Sequence, residues 1–451
     1  MTEETDALLS SEKKLDAPRR RTRLAKLSTS FALLILLVTF LALHLCDGGR
    51  DDTVERLTID ERVGRILSRT PLIDGHNDLP ILIRMLYRNH IYDRNFTDAF
   101  ANGNLSGHVD LPRLSEGKVG GTFWSVFVPC PKDGTDFSDE NYAQSVRMTI
   151  QQVDVMSRVR QAYPDVFSAS VNGTTAMQAY REGKIISPLG IEGLHSIGNS
   201  LAYLRRFYDM GVSYATLTHN CHNRFADAAL QETADGTVKK AQPLWHGVSD
   251  EGKSLVFEMN RIGMIVDISH VSTETMRDVL GAGKGNWEGS KAPVIFSHSS
   301  AYSVCPHPRN VPDDVLQLVK KRDSVVMVNF SPDFVSCVPA DDSDGLPDFF
   351  PANSTIEHVA DHVVYIGELI GYDYVGLGSD FDGIPTTPTG LEDVSKFPKL
   401  IAELLRRGVS DEDAAKIAGK NLLRVWKEVD NVALQLQAQG ALPVEDPIVN
   451  P

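Results

Sequence analysis

Positive charge is scarce in this 451-residue sequence: 45 lysines and arginines stand against 60 aspartates and glutamates, and the formal net charge is -15. Because binding to nucleic acid needs clustered cations that neutralise phosphates, this balance argues against a nucleic-acid partner. Low-complexity tracts, solenoid repeats and Pro/Ser-rich linkers are missing between residues 57 and 429. The composition is that of a globular protein, and although the length suffices for two medium domains, one large domain is the simpler expectation.

Cysteine is also rare, with five residues in the whole chain. Cys46 ends an apolar N-terminal segment, and the others form an even set of four: Cys130, Cys221, Cys305 and Cys337. In an oxidising compartment such a set predicts two disulfides, for which three pairings are possible. Four buried free thiols are the alternative.

Formal charge is absent from residues 27–46, LSTSFALLILLVTFLALHLC, which follow the basic segment APRRRTRLAK at residues 17–26. Twenty mostly apolar residues span a bilayer core as a helix. A cleaved signal peptide is the competing interpretation, but its apolar region is usually shorter and ends in a small-residue cleavage site. The positive-inside rule then predicts a cytoplasmic tail at 1–26, a transmembrane signal-anchor helix at 27–46 and a single-pass type II protein whose catalytic domain is extracellular or luminal.

The C-terminal sequence ALPVEDPIVNP lacks the apolar tail that a lipid anchor needs. Sequons of the form N-x-S/T give weak support for a secretory route, and we expect glycosylation at four of them: Asn95, Asn104, Asn172 and Asn353. A fifth sequon begins at Asn329 within an apolar run, so we expect this asparagine to be buried and unmodified.

Eight short β-branched runs alternate with amphipathic helical patterns after residue 57. The runs lie at residues 71–76, 122–128, 187–193, 212–219, 264–270, 293–299, 324–330 and 374–381. Continuous apolar strands that alternate with helices predict a parallel sheet covered by helices. Eight such units favour an α/β fold of the (β/α)8 TIM-barrel type over residues 47–430, with an irregular tail at 431–451. A doubly wound open sheet is the structural alternative.

Ionisable side chains stand at the carboxyl ends of six of these runs: His76, Asp78, Glu192, His219, His270, His298 and Asp380. Active sites of (β/α)8 barrels form on this face. In "PLIDGHNDLP" (residues 71–80), the period of two in an extended chain points His76 and Asp78 to the same side, where both can reach one cation. His270 and His298 could hold a second ion, and the two oxygens of Glu192 could bridge the pair as in two-metal hydrolases.

A lysine is missing from every strand end, although many barrel hydrolases bridge their metals with a modified lysine. With Glu192 in that role, and with "GIEGLHSI", "LTHNCHNRFADA", "DISHVS", "FSHSSAYSVCPHPRNVPDD" and "GLGSDFDG" following in this order, the chain closely resembles the membrane (renal-type) dipeptidases, which are zinc-dependent metallopeptidases. The resemblance covers residues 57 to 425.

The resemblance implies two zinc ions per chain and the hydrolysis of dipeptides by a metal-bridging water. One zinc would be held by His76, Asp78 and Glu192, and the other by Glu192, His270 and His298. His219 and Arg309 would bind substrate, Arg309 through the substrate carboxylate, while Asp380 would contact substrate and handle the proton, so that Asp380 and Glu192 are the catalytic carboxylates. The family disulfides would be Cys130–Cys221 and Cys305–Cys337.

We expect this chain to depart from the family at its ends, because the predicted N-terminal helix would replace the signal peptide and the C-terminal lipid anchor of the animal forms. Family members are often disulfide-linked dimers, but the cysteine near the C-terminus that would link them is absent here, so a homodimer is only a possibility. Two other functions remain open: an amide or lactam hydrolase of a biosynthetic or detoxification pathway, and a catalytically silent ectodomain.

Some polar residues near these motifs are expected to have structural roles. In "HVADH" (358–362), the apolar neighbours define a core face from which both histidines are offset, so we expect His358 and His362 at the surface. The residues after His219, including Asp227, are expected to brace a loop, and Asp382 either orients the site or caps local structure.

Overall fold

The computed structural model describes residues 57–233, 235–340 and 344–446. The predicted cytoplasmic tail and the predicted transmembrane helix at 27–46 lie outside these ranges. Within them, no helix combines the length and the apolar character needed to cross a bilayer. From Thr58 onward the chain forms one unit.

Eight parallel strands close into a barrel. In chain order the strands of the described residues are β1 (Leu72–Asn77), β2 (Val119–Ser125), β3 (Leu189–Glu192), β4 (Val212–Thr216), β5 (Leu230–Glu232), β6 (Val238–Lys240), β7 (Ile265–Asp267), β8 (Ile295–Phe296), β9 (Val325–Val328), β10 (Cys337–Val338), β11 (Asp348–Phe349) and β12 (Val375–Leu377). Around the barrel the order is β1-β12-β9-β8-β7-β4-β3-β2, and the pair of Asp74 with Leu377 joins the first strand to the last. The pairs β5–β6 and β10–β11 are small antiparallel hairpins outside it.

Helices follow the barrel strands and cover them. The α-helices of the described residues are α1 (Ile59–Leu67), α2 (Leu79–Tyr87), α3 (Arg94–Asn102), α4 (Leu111–Glu116), α5 (Asp139–Ala162), α6 (Ala176–Arg181), α7 (Leu201–Asp209), α8 (Asp250–Ile262), α9 (Thr273–Val279), α10 (Asp313–Lys321), α11 (Pro332–Val335), α12 (Ile356–Ile370), α13 (Phe397–Arg406), α14 (Asp411–Ala415) and α15 (Asn421–Ala438). Many begin at a side-chain cap, as where the Ser249 hydroxyl accepts the Gly252 N–H.

The eight barrel strands overlap the eight predicted runs, so the (β/α)8 barrel is confirmed and the open sheet is excluded. Every residue of the barrel strands is buried, which is why strands such as Val325–Val328 are continuous apolar runs rather than alternating ones. Most apolar side chains form one large cluster between strands and helices. A second cluster joins barrel strands to α15, where the rings of Phe123 and Trp426 lie 5.0 Å apart.

The C-terminal helix corrects the predicted irregular tail. Helix α15 extends to Ala438, so the prediction that the chain is irregular from residue 431 is wrong for residues 431–438. Val429 and Ala433 stay buried at helical spacing, and the buried carboxylate of Asp430 accepts the backbone N–H of Thr174. Continued packing against the barrel therefore carries the helix beyond the boundary that the sequence suggested.

Both disulfides form as the resemblance implied, Cys130 with Cys221 and Cys305 with Cys337. The asparagines of the four candidate glycosylation sites are all exposed, and glycosylation there stays a prediction. Asn329 is fully buried, as expected, and the absence of a glycan there stays a prediction.

Candidate active site

The carboxyl ends of the barrel strands bring the predicted metal ligands into one buried cluster. His76 lies near the end of β1 and Glu192 ends β3, whereas the other three stand just beyond β1, β7 and β8. None is more than 6% exposed: His76, Asp78, Glu192, His270 and His298. Because parallel strands end at the same edge, residues far apart in sequence meet at this mouth of the barrel.

Glu192 divides the cluster into two groups. Its Oε2 lies 3.5 Å from Nε2 of His76, and the same nitrogen lies 3.2 Å from Oδ2 of Asp78. Its Oε1 lies 2.9 Å from Nε2 of His270 and 3.5 Å from Nε2 of His298. Other triplets, such as Glu192 with His219 and His270, also have ligand atoms within 4.8 Å, but the shortest contacts favour the division at the two Glu192 oxygens.

Each of the three histidines has Nδ1 hydrogen-bonded away from the cluster, which leaves Nε2 facing it. Nδ1 of His76 contacts the Tyr214 hydroxyl at 2.9 Å, and Nδ1 of His270 contacts Oδ1 of Asn220 at 3.1 Å. Nδ1 of His298 contacts the Ser297 hydroxyl at 2.8 Å. An N–H that is tied down on one side of the ring presents a lone pair on the other, which is the usual arrangement of metal-binding histidines.

The donor set fits cations. Nε2 of His270 lies only 2.8 Å from Nε2 of His298, and burial, followed by neighbouring cationic groups that include Arg309, lowers both pKa values well below the usual range. Two neutral imidazoles whose Nε2 lone pairs face each other repel, and a cation bound by both nitrogens would remove this repulsion. Oδ1 of Asp78 is buried and has no hydrogen-bond partner among the described residues. Imidazole nitrogens with carboxylate oxygens are ordinary ligands of zinc.

Asp380 completes the mouth of the site. Its backbone takes a left-handed φ of 65°, uncommon for a non-glycine residue, and its N–H donates to the His76 carbonyl. Burial, opposed by His76 and reinforced by the carboxylates of Asp78 and Glu192, raises the pKa of Asp380 to about 8. A carboxyl group with such a pKa can take up and release a proton near neutrality.

His219 and Arg309 face the same cluster. The ring of His219 lies 4.4 Å from that of His270, and burial lowers the pKa of His219 to about 4, so its imidazole is neutral. Arg309 is 1% exposed, yet its two hydrogen bonds, to the Ser299 hydroxyl and the His298 carbonyl, are long at 3.4 Å. Its Nε has no partner among the described residues. Burial lowers the pKa of Arg309 to about 10, so this under-paired guanidinium is still a cation that can receive an anion.

Comparison with known families agrees with this geometry. The family model described as "Membrane dipeptidase (Peptidase family M19)" matches residues 60–440. The chain belongs to this family. It is 45% identical over 386 residues to Dipeptidase aclJ of Aspergillus oryzae (strain ATCC 42149 / RIB 40), covering 85% of this chain and 83% of the relative. The M19 assignment makes the protein a dipeptidase and a metallopeptidase.

Solved structures share the fold of this M19 dipeptidase. The dipeptidase AC, a metallopeptidase of family M19, is 24% identical with a TM-score of 0.65, over 80% of this chain and 98% of that one. The probable dipeptidase PvdM of Pseudomonas aeruginosa is 21% identical with a TM-score of 0.70, over 83% and 99% of the two chains. A metallopeptidase of Rhodobacter sphaeroides, solved with a phosphinate mimic of the dipeptide L-Ala-D-Ala, is 23% identical with a TM-score of 0.64, over 80% and 99%.

Several residues that contact the cluster of this M19 dipeptidase were not predicted from the sequence. They are Ser125, Tyr214, Asn220, Ser297 and, as a contact of Asp380, Asn329. Their residue types are common at strand ends and carry no ligand signal. Position is the one clue that the sequence offers, because Ser125 ends β2 and Asn329 follows β9, and these are the two barrel strands without a candidate ionisable residue at their carboxyl end.

The residues expected to have structural roles agree with the prediction only in part. Asp227 accepts backbone N–H groups of Leu244, Trp245 and Gly247, which confirms its bracing role. The prediction that His362 lies at the surface is wrong: it is fully buried, accepts the Ala301 N–H and donates to the Val335 carbonyl. Burial is possible because both ring nitrogens find backbone partners.

Proposed function

We propose that this M19 dipeptidase is a binuclear zinc enzyme anchored in a membrane by residues 27–46, with its catalytic domain on the extracellular or luminal side. The observation that supports two metals is the position of Glu192, whose two carboxylate oxygens each face a separate group of ligands. His76 and Asp78 would complete one group, and His270 and His298 the other. A single shared carboxylate couples the two groups.

In the proposed mechanism, the metals and the side chains have different roles. Two zinc ions in these positions would supply Lewis acidity that lowers the pKa of water and polarises the peptide carbonyl. Asp380 would accept a proton from the attacking water and pass it to the leaving amine, as its position and raised pKa allow. His219, held neutral by burial, would donate a hydrogen bond to the carbonyl oxygen as negative charge develops there.

Arg309 would select dipeptides by length. Its guanidinium is buried beside the cluster and forms no ion pair with a carboxylate of the described residues, so a substrate carboxylate would supply the missing charge. In a dipeptide this carboxylate stands one residue beyond the scissile bond, whereas a longer peptide presents a neutral amide there. The planar guanidinium binds a carboxylate through two parallel hydrogen bonds, which fixes the orientation of the substrate as well.

Hydrolysis of a dipeptide panel with and without a chelator, combined with a metal count, tests this function. We expect chelator-sensitive cleavage of free dipeptides and about two zinc ions per chain, as the two-metal interpretation requires. Glu192→Ala should lose activity together with both ions, because it removes a ligand from each group. Cleavage of capped or cyclic amides alone would favour the related amide or lactam hydrolase, and absence of turnover would leave a silent ectodomain.

The membrane anchor needs its own test. The full chain should stay in the membrane fraction after an alkaline carbonate wash and be released by detergent, since a spanning helix is integral. Endoglycosidase should shift its mobility if exposed asparagines such as Asn95 reach the lumen. A secreted product whose N-terminus begins near residue 47 would show that the segment is a cleaved signal peptide.

A further inference from the structure

The two strand ends that lack an ionisable side chain carry hydrogen-bond donors to the two catalytic carboxylates. We propose that Ser125, at the end of β2, and Asn329, directly after β9, are positioning residues: Ser125 orients the bridging carboxylate of Glu192, and Asn329 orients the proton-handling carboxylate of Asp380. This inference rests on the proposed function. Neither residue contacts the predicted substrate-binding side chains of His219 and Arg309 through a hydrogen bond in the described structure.

Asn329 can present only its amide nitrogen to Asp380. Its Oδ1 already accepts the backbone N–H of Ser331, so the side-chain amide cannot be turned over without losing that bond. Its Nδ2 donates to Oδ2 of Asp380 at 3.1 Å and lies 3.4 Å from the carbonyl oxygen of His298. Asn329 is fully buried, so water does not compete for these contacts. One oxygen of Asp380 is thereby held, and the other is left for the reaction.

This contact offsets an unfavourable arrangement. Asp380 is half-buried beside the carboxylates of Asp78 and Glu192, and its own backbone has left-handed torsion angles. In its ionised form Asp380 is repelled by these neighbouring carboxylates, and a neutral donor to Oδ2 then holds the side chain in place. A carboxamide donates a hydrogen bond without adding charge to the metal site, which an arginine or lysine in the same position would do.

Ser125 acts on the other carboxylate. Its hydroxyl donates to Oε2 of Glu192 at 3.2 Å, the oxygen that faces His76. Ser125 and Glu192 lie on the adjacent parallel strands β2 and β3, in which Ser125 is paired with Gly190, and the serine is fully buried. Fixing Oε2 also fixes the plane of the carboxylate, so that Oε1 points to His270 and His298. If the Glu192 carboxylate rotated freely, its two oxygens would not stay directed at the two groups of ligands.

The two roles predict different losses. In Ser125→Ala, zinc release to a competing chelator should become about 10- to 100-fold faster, the usual effect of removing a partner of a metal ligand, while kcat in excess zinc changes little. In Asn329→Asp, which keeps the acceptor for Ser331 but replaces the donor by a carboxylate, zinc content should be kept and kcat should fall about 10- to 100-fold with KM nearly unchanged. Asn329→Ala removes the donor without adding a carboxylate. A similar fall in kcat in this variant would show that the missing donor, and not repulsion, causes the loss.

Matched control variants measure how much stability is lost when a buried serine or asparagine is replaced away from the site. Ser187 is a fully buried serine whose hydroxyl donates to the Ile185 carbonyl, and Asn260 is a buried asparagine that contacts Ser290 and Lys291. Ser187→Ala and Asn260→Asp should therefore lower the melting temperature as much as the test variants do, without changing zinc release or kcat.

Two results overturn the inference. Zinc release from Ser125→Ala at the wild-type rate removes the role of Ser125, and a kcat of Asn329→Ala within twofold of wild type removes that of Asn329. Melting curves identify any variant that fails to fold. If Asn329→Ala does not fold, the kcat of Asn329→Asp tests the role of Asn329 instead. Failure of the proposed function is distinguishable, because the wild-type protein itself would then hold no zinc or hydrolyse dipeptides without sensitivity to chelator.

Discussion

The hydroxyl of Tyr214 lies 2.9 Å from Nδ1 of His76, on the side of the imidazole that faces away from Asp78 and Glu192. Burial, together with nearby carboxylates such as Asp267 and Glu192, raises the pKa of Tyr214 well above its usual value, so the phenol stays neutral. A neutral phenol can accept the Nδ1–H of His76, an arrangement that turns the Nε2 lone pair toward the cluster, where a cation would take it. Tyr214 thus contacts the candidate metal ligand His76 on the side of the ring opposite the cluster.

Replacing Tyr214 by phenylalanine should weaken metal binding without disturbing the packing of the ring. Removal of the acceptor frees the imidazole of His76 to rotate or to carry its proton on Nε2, and zinc affinity should fall about 10- to 100-fold. Competition with a chromogenic chelator measures this change. Tyr180→Phe is the control, because the Tyr180 hydroxyl donates to the Leu67 carbonyl, away from the cluster. Equal zinc affinities of the two variants would contradict the prediction.

Arg309→Gln should remove the preference for a free substrate carboxylate. We expect kcat/KM for dipeptides to fall on the order of 100-fold, the value of a charge-assisted pair, while the already low kcat/KM for dipeptide amides changes little. The ratio of the two substrates is the measurement. Arg160→Gln removes a partly buried arginine whose Nη1 donates to the Ser187 carbonyl, and it should leave the ratio intact. A preserved ratio in Arg309→Gln would show that another group recognises the carboxylate.

The sequence predicted the barrel and the convergence of the candidate ligands because both follow from strong local patterns. Buried parallel strands such as Val325–Val328 are continuous apolar runs, and an imidazole or carboxylate directly after such a run needs a partner. In a closed parallel barrel all strands end at the same rim, so the fold alone brings these side chains together. His76 and Glu192, 116 residues apart in the sequence, therefore met where the pattern placed them.

The residues behind the ligands could not be predicted in the same way. The side chains of Tyr214 and Ser297 are ordinary at strand positions, and their roles appear only when neighbouring strands set the distance to His76 or His298. His362 was misplaced for a related reason. Helical periodicity predicts the core face of α12. It does not show that the backbone groups of Ala301 and Val335, which belong to other segments, form hydrogen bonds with the buried ring of His362.

The disulfide between Cys130 and Cys221 should matter for catalysis, not only for stability. Sγ of Cys130 lies 3.8 Å from Nδ1 of His219, and the bond joins the segments that follow β2 and β4. Replacing both cysteines by alanine should cost about 2–5 kcal/mol of stability and also lower kcat, because the loop that carries His219 is released. The same double substitution at Cys305 and Cys337 should lower the melting temperature with a smaller effect on kcat. Similar kcat losses in both double variants would contradict a specific role.

Buried neutral histidines should make the metal-free protein sensitive to acid, and His362 allows this to be measured at one site. Burial lowers the pKa of His362 from 6.5 to about 4, so between these pH values the unfolded chain binds a proton that the folded chain does not. Stability from this group is complete above pH 6.5 and is lost as the pH falls toward 4, by up to about 3 kcal/mol. His362→Gln offers an amide donor and an acceptor for Val335 and Ala301 without titrating. Urea unfolding of both proteins from pH 4 to 7.5 should therefore give a shallower loss for the variant, whereas parallel curves would show that His362 takes up its proton equally in both states.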